Sequence, residues 1–267
     1  MNLIIRLNLL IVLEDQIKTY FQSMDNKYIH TGKNKKKFVE NMFDKISFKY
    51  DFFNRLTTFF IDQYWRSRFI NKLDLKNNLN ILDIATGTGD VIIQICKKYD
   101  SINGIGFDCS QNMLEMAKNK SKNKNLRNVK YIHGYAESLP FDSNSIDIVT
   151  ISFGMRNFNN YEEALKEINR VLKPNGTLAI LEFCRPKNSL FQSFFSFYFN
   201  RIIPIIGKLL TGEKIFDYLP ESVNNFFSKT ELSEKLESFD FEKIYSKDLT
   251  FGICSIVTGS KSNSIKQ

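Results

Sequence analysis

Asp83, Gly87, Thr88, Gly89 and Asp90 crowd the end of the apolar run Ile81, Leu82, Ile84, where a strand gives way to a helix. Two glycines in such a turn let the backbone bend sharply and approach a ligand with no Cβ in the way, and a nucleotide-like molecule would lie across it. The dinucleotide fingerprint asks for a third glycine where Ile92 stands, and Asp83 and Asp90 would repel a pyrophosphate. A cationic ligand without phosphate fits better; S-adenosylmethionine carries an ammonium, a sulfonium and no phosphate. The same residues would also serve an ordinary tight turn with capping side chains. Asp108 sharpens the case. It closes the next apolar run about 20 residues on, where a carboxylate can accept both ribose hydroxyls, and Ser110 is the better N-cap for a helix over Gln111 to Asn119.

These side chains need a sheet edge to hold them. Strands are expected at Ile81–Ile84, Ile102–Asp108, Val129–His133, Ser145–Phe153 and Gly176–Phe183, with helices at Val91–Tyr99, Gln111–Asn119 and Tyr161–Leu172, the last stopped by Lys173-Pro-Asn-Gly176. Alternation of this kind predicts a doubly wound α/β sheet. The loop Gly134–Phe141 would bring the Ala136 amide to an adenine ring at the sheet's carboxyl edge, and Gly154-Met-Arg-Asn157 lies just beyond the fourth strand. Residues Lys36–Leu73 read as helical and unusually aromatic, either a lid over that edge or packing. Ser189–Leu210 is greasy but broken by Arg201, Pro204 and Lys208, so it reads as a core helix pair, an apolar substrate wall or a face resting on a bilayer, and not as a span. Glu221–Phe239 is expected to be one helix, and Phe241–Thr250 with Ile253–Gly259 a terminal antiparallel hairpin joined at Phe251-Gly252.

A chain of 267 residues that is 43% hydrophobic can bury one full core, so a single domain over 36–261 is expected. Within it, 36–75 would be the helical lid, 79–183 the cofactor-binding core, 189–240 a substrate-side helical segment and 241–261 the hairpin, with 1–35 a flexible extension and 262–267 a tail. The net charge of +8 is spread among Asn, Ile and Phe, with only Lys33 to Lys37 forming a dense run, which favours a solvated surface over a nucleic-acid or anionic-membrane partner. Cys96, Cys109, Cys184 and Cys254 show no Cys-x-x-Cys and no pairing with His30 or His133, as expected of a reduced cytoplasmic protein without structural metal. The apolar run Met1–Leu13 is too short to span a membrane and lacks a small-residue cleavage site; Met24 opens a more ordinary polar start.

With these elements placed, the chain resembles class I S-adenosylmethionine-dependent methyltransferases, and most closely the ubiquinone/menaquinone biosynthesis C-methyltransferase family. The resemblance is carried by Met42-Phe-Asp-Lys-Ile-Ser-Phe-Lys-Tyr-Asp51, Ile81–Asp90, Ala136–Phe141, Ile151–Asn157, Arg170–Gly176, Leu181-Glu-Phe183 and Tyr218-Leu-Pro-Glu-Ser222. It implies a seven-stranded, mostly parallel Rossmann-like sheet with an antiparallel last strand. It also implies that Thr88, Asp108, Tyr135, Ala136 and Ser152 contact S-adenosylmethionine, alongside Asp83, Gly87 and Gly89 of the turn. Tyr135 departs from the Asn or Asp usual there, which would leave the backbone to hold the adenine; Asn175-Gly176 and Phe226-Phe227 are smaller departures.

The implied reaction methylates a ring carbon of a prenylated demethylquinol, a naphthoquinol in menaquinone synthesis or a benzoquinol in the ubiquinone pathway. Carbon attack needs the neighbouring ring hydroxyl ionised, so the protein must favour a phenolate and align it. Arg156 and Asn157 are the first candidates; arginine keeps its proton, so it would stabilise the phenolate or position water. Tyr50 and Asp51 come from the lid segment, with Asp51 expected to orient water or take the proton, or the two form a packing and capping pair. A structural ion-pair role is the lesser alternative for Arg156. Peripheral contact with the inner face of the cell membrane and a homodimer both accord with this reading, and no nucleic acid is required. An RNA methyltransferase would need a continuous basic face with interleaved aromatics, and a non-catalytic cofactor-binding module would lack the substrate-side groups.

Overall fold

The computed structural model describes residues 33–184, 196–211 and 218–263. The expected extension before residue 33 and the part of Ser189–Leu210 before residue 196 lie outside them. In chain order the helices are α1 (Lys33–Thr57), α2 (Ile61–Ile70), α3 (Asp90–Lys98), α4 (Gln111–Asn123), α5 (Tyr161–Val171), α6 (Ile203–Thr211), α7 (Tyr218–Asn224) and α8 (Lys229–Ser238). The strands are β1 (Asn80–Ile84), β2 (Asn103–Asp108), β3 (Val129–His133), β4 (Ile146–Ser152), β5 (Leu172–Phe183), β6 (Phe241–Leu249) and β7 (Cys254–Lys261). They form one sheet in the order β3-β2-β1-β4-β5-β7-β6.

The central strands β1 and β4 are buried on both faces, as parallel strands covered by helices are. They run parallel as neighbours, although β2 and β3 follow β1 in the chain. The winding therefore reverses between them, and such a switch opens a crevice at the carboxyl ends of the strands. β7 is antiparallel to both β5 and β6, so the terminal hairpin folds back and inserts its second strand beside β5. Doubly wound sheet and antiparallel last strand are thus as expected.

Three boundaries differ from the sequence reading. The first helical stretch breaks at Phe59 and Phe60, whose φ angles of 50° and 62° are left-handed and cannot continue a helix. Glu221–Phe239 is two helices, because Ser228 and Glu231 form a reciprocal capping box that starts α8 afresh. Lys173-Pro-Asn-Gly176 stops α5 but joins β5 as an irregularity: β4 pairs Ile146 with Leu172 and then Ile148 with Thr177, and Asn175 takes up φ 62°. Ser110 caps α4 as expected, accepting from the Met113 amide at 3.1 Å. Among the described residues no helix is long and apolar enough to cross a membrane.

α1 crosses above the crevice. It packs on α4 and α6, and its side chains grip the sheet edge at two points. Asp44 Oδ1 accepts from Ser110 Oγ at 2.6 Å, and Asp51 Oδ1 accepts from Thr88 Oγ1 at 2.6 Å.

Candidate functional site

Gly87 sits at φ 54° with no atom within 4 Å of where a Cβ would lie, so the turn presents bare backbone to open space. Its amide donates to Asp108 Oδ2 at 2.7 Å while Asp108 Oδ1 accepts from Ser110 N at 2.9 Å. The buried carboxylate is thereby fixed at the end of β2, and burial pushes its pKa up against the pull of these backbone bonds. Both residues line a cavity, about 710 Å³ when the space open to solvent is counted, whose wall also includes Tyr135, Ala136, Ser152 and Asn157. Gly154 closes its floor so tightly that a Cβ there would stand 2.3 Å from that of Ala85. Gly154→Ala is therefore expected to cost about 1–3 kcal/mol of stability by overpacking and to weaken binding of S-adenosylhomocysteine. Thermal unfolding and titration calorimetry both matching the parent would refute this.

The turn's other expected contacts face elsewhere. Gly89, at φ 82°, packs against Ile93, Ala117 and the Tyr131 hydroxyl and holds α3 to its neighbours. Asp83 is buried beneath the turn, where Thr86 and Thr150 each donate a hydroxyl to it at 2.6 Å; burial raises its pKa to about 6. Thr88 is shared between Asp51 and Lys120, whose ammonium also pairs with Asp51 and, at 2.9 Å, with Asp90. Asp51 thereby ties α1 to the glycine turn.

A second, larger cavity, about 1600 Å³ when the space open to solvent is counted, adjoins the first, and Phe43, Tyr50, Phe153 and Asn157 line both. Its wall is mostly apolar, from Phe53 on α1, Trp65 on α2 and Phe199 and Ile203 before and within α6. Arg156 enters from the short helical turn after β4. Its Nη1 donates to Glu182 Oε1 at 2.6 Å and to the Phe153 carbonyl at 2.5 Å, while its Nε is buried without a partner. Asn157 Oδ1 and Ser152 Oγ are likewise buried and unpaired. Orphaned polar atoms are rare in folded interiors, and here a donor and acceptors stand in cavity walls. Glu182, wholly buried on β5, also accepts from the Phe183 amide at 3.0 Å; burial raises its pKa and Arg156 opposes the rise. Burial likewise raises the Tyr50 pKa, which keeps this residue a neutral phenol.

The profile of the ubiE/COQ5 methyltransferase family matches residues 30–261. The chain belongs to this family. It is 38% identical over 225 residues to the ubiquinone/menaquinone biosynthesis C-methyltransferase UbiE of Geotalea daltonii, covering 84% of this chain and 96% of that protein. It is also 38% identical over 232 residues to the demethylmenaquinone methyltransferase of Staphylococcus aureus, at 86% and 95% coverage. A UbiE of Rickettsia bellii reaches 41% over 233 residues, at 85% and 94%. Among solved structures, a SAM-dependent methyltransferase from Thermotoga maritima aligns with TM-score 0.62 at 21% identity, covering 84% of this chain and all of that one. One from Aquifex aeolicus aligns with TM-score 0.56 at 19% identity, covering 75% and 91%. At those identities the two share the fold.

In this ubiE/COQ5 family member the structure also brings forward side chains that the sequence reading passed over. Glu182 stood in the motif Leu181-Glu-Phe183 without a role, although an acid within an apolar strand is itself a signal. Asp62 and Arg66 form a second buried ion pair at 2.6 Å in the wall of the larger cavity, with the Arg66 guanidinium 5.3 Å from the Phe153 ring centroid. Their spacing of four on α2 would have fitted a surface pair equally well. Tyr135, the departure from the family pattern, donates to Glu40 Oε2 at 2.5 Å with the Lys36 ammonium 3.4 Å from its ring centroid, and so joins its loop to α1.

Proposed function

We propose that the chain transfers a methyl group from S-adenosylmethionine to a ring carbon of a prenylated demethylquinol, demethylmenaquinol foremost, with the ubiquinone-pathway benzoquinol as the alternative acceptor. The observation that carries this reading is the meeting of two cavities at Tyr50, Phe153 and Asn157, beside the unpartnered Arg156 Nε and Asn157 Oδ1. One buried donor and one buried acceptor complement a phenolic hydroxyl, which both gives and takes a hydrogen bond. The smaller cavity suits the cofactor: Asp108 offers its carboxylate to the ribose, the Tyr135-Ala136 backbone borders the adenine, and Gly87 and Ser152 border the rest. Bound there, S-adenosylmethionine supplies an electrophilic methyl group. Asp83, Thr88 and Gly89 support that turn from behind.

Asn157 Oδ1 accepts from the ring hydroxyl before ionisation, and the Arg156 guanidinium, a donor only, stabilises the oxygen as that proton, and later the ring proton displaced by the methyl group, is lost to solvent. Tyr50 packs at the junction as a neutral phenol and helps exclude water, while Asp51, through Thr88 and Lys120, fixes the height of α1 above the turn. The Asp62–Arg66 pair offers a second polar contact in the acceptor wall, suited to the other ring oxygen. The apolar remainder accepts the isoprenoid tail, and access to such a tail accords with peripheral contact at a membrane.

The test is direct. Purified protein with labelled S-adenosylmethionine is offered demethylmenaquinol and its benzoquinol counterpart. Label is expected in the naphthoquinol ring; cofactor binding with methylation of neither acceptor rejects the proposal.

A further inference from the structure

α1 is apolar on two sides. Phe43, Tyr50 and Phe53 turn inward to the larger cavity, while Phe48, Phe52 and Leu56, spaced by four, are exposed at 83%, 60% and 41%. A water-facing helix side is normally polar. The neighbouring helix repeats the pattern: Phe199 and Ile203 line the cavity, whereas Phe197, Ile205 and Leu209 are exposed. At the corner between α1 and α2, Phe59 and Phe60 project outward from left-handed backbone positions. α1 and α6 pack together, so these outer stripes lie on adjoining helices. Phe59 and Ile61 are both exposed and part of the cavity wall, which places the mouth of the cavity within the same greasy face. The charges around it have one sign: every exposed charged residue between positions 41 and 70 and between 196 and 209 is Lys or Arg, namely Lys45, Lys49, Arg68, Arg201 and Lys208.

We infer that this face docks on an anionic lipid bilayer, with Phe48, Phe52, Phe60 and Leu209 entering the acyl boundary and the basic residues meeting the headgroups. An exposed apolar patch of this extent marks an interaction surface, and its basic border selects a bilayer with acidic lipids over a second copy of the same cationic face. The mouth at Phe59 and Ile61 then opens into the acyl region, so that a lipid-tailed acceptor passes into the cavity without crossing water. This rests on the prenylated-acceptor reading.

Flotation of the full chain with vesicles of phosphatidylcholine plus phosphatidylglycerol, and of phosphatidylcholine alone, tests it. Binding is expected to the mixed vesicles, to weaken with added salt, and to fall on the order of tenfold or more in the double variant Phe52→Ser/Leu209→Ser. That variant removes no cavity-lining residue. It should methylate a short-tailed, water-soluble acceptor like the parent and lose turnover on a long-tailed acceptor embedded in vesicles. Failure of the parent to float, or equal flotation of the variant, overturns the docking face. So does a parent that ignores vesicles but sediments as a dimer which the variant abolishes. A parent that floats as described yet methylates neither acceptor supports the docking face and rejects the quinol reading instead.

Discussion

Arg156→Met should lower turnover by roughly two to three orders of magnitude, the scale on which a single donor to a developing oxyanion acts, and should also destabilise the fold by about 3–5 kcal/mol. The second effect arises because Glu182, fully buried on β5, loses its only paired cation among the described contacts. A buried carboxylate stripped of its partner can be relieved by protonation. Its folded pKa, already raised by burial, rises further without Arg156, so the native variant binds a proton that the unfolded chain releases. The sign follows: the variant's stability is greatest below the ordinary carboxylate range and is lost as pH climbs through the raised value. Denaturant melts should therefore show the gap between parent and variant widening from mildly acidic to mildly alkaline solution. Glu182→Gln placed on the Arg156→Met background should recover much of the stability and none of the turnover. A variant that keeps its activity, or a gap that does not change with pH, would refute the assignment.

Asp108→Ala should weaken cofactor binding by about two orders of magnitude or more, since hydrogen bonds to a charged group contribute roughly 1.5–3 kcal/mol each and the ribose would lose two. The Gly87 amide also loses its acceptor, which loosens the turn. Ser110→Ala is the control. It removes the helix cap of α4, at a cost of about 1 kcal/mol, and the Oγ donor to Asp44, but keeps the Ser110 amide on Asp108, so its affinity should fall far less than that of Asp108→Ala. Calorimetric titration with S-adenosylhomocysteine separates the two; equal affinities for Asp108→Ala and the parent would remove Asp108 from the ribose.

What was legible in the sequence is what short-range chemistry decides. The Gly87 turn, the ending of β2 at Asp108 and the Ser110 cap each lie within a few residues of their cause, and the doubly wound class follows from β-α alternation. The Ser228–Glu231 capping box was readable as well, from serine followed three residues later by glutamate, and its neglect merged α7 with α8. Other features depend on partners far along the chain. Asp51 gave no local sign that it would meet Thr88 and Lys120 in place of a substrate, and Asp62–Arg66 acquires its buried character only when α2 packs beneath β5 and the hairpin. The left-handed pair Phe59-Phe60 had no glycine or asparagine to announce it.

The wall of the acceptor cavity runs from Met42 to Ile253, and Trp65 Nε1 donates to Thr250 Oγ1 at 2.7 Å across 185 positions of sequence. On the ribosome, β1 to β4 with their glycine turn emerge long before that bond can form. The lining of the smaller cavity is complete in the chain by Asn159, whereas that of the larger one waits for Ile253 of the final hairpin. A nascent chain arrested short of the hairpin would leave the edge of β5 without β7 and Trp65 without Thr250, and an unpaired strand edge of this kind is exposed to chaperones and proteases.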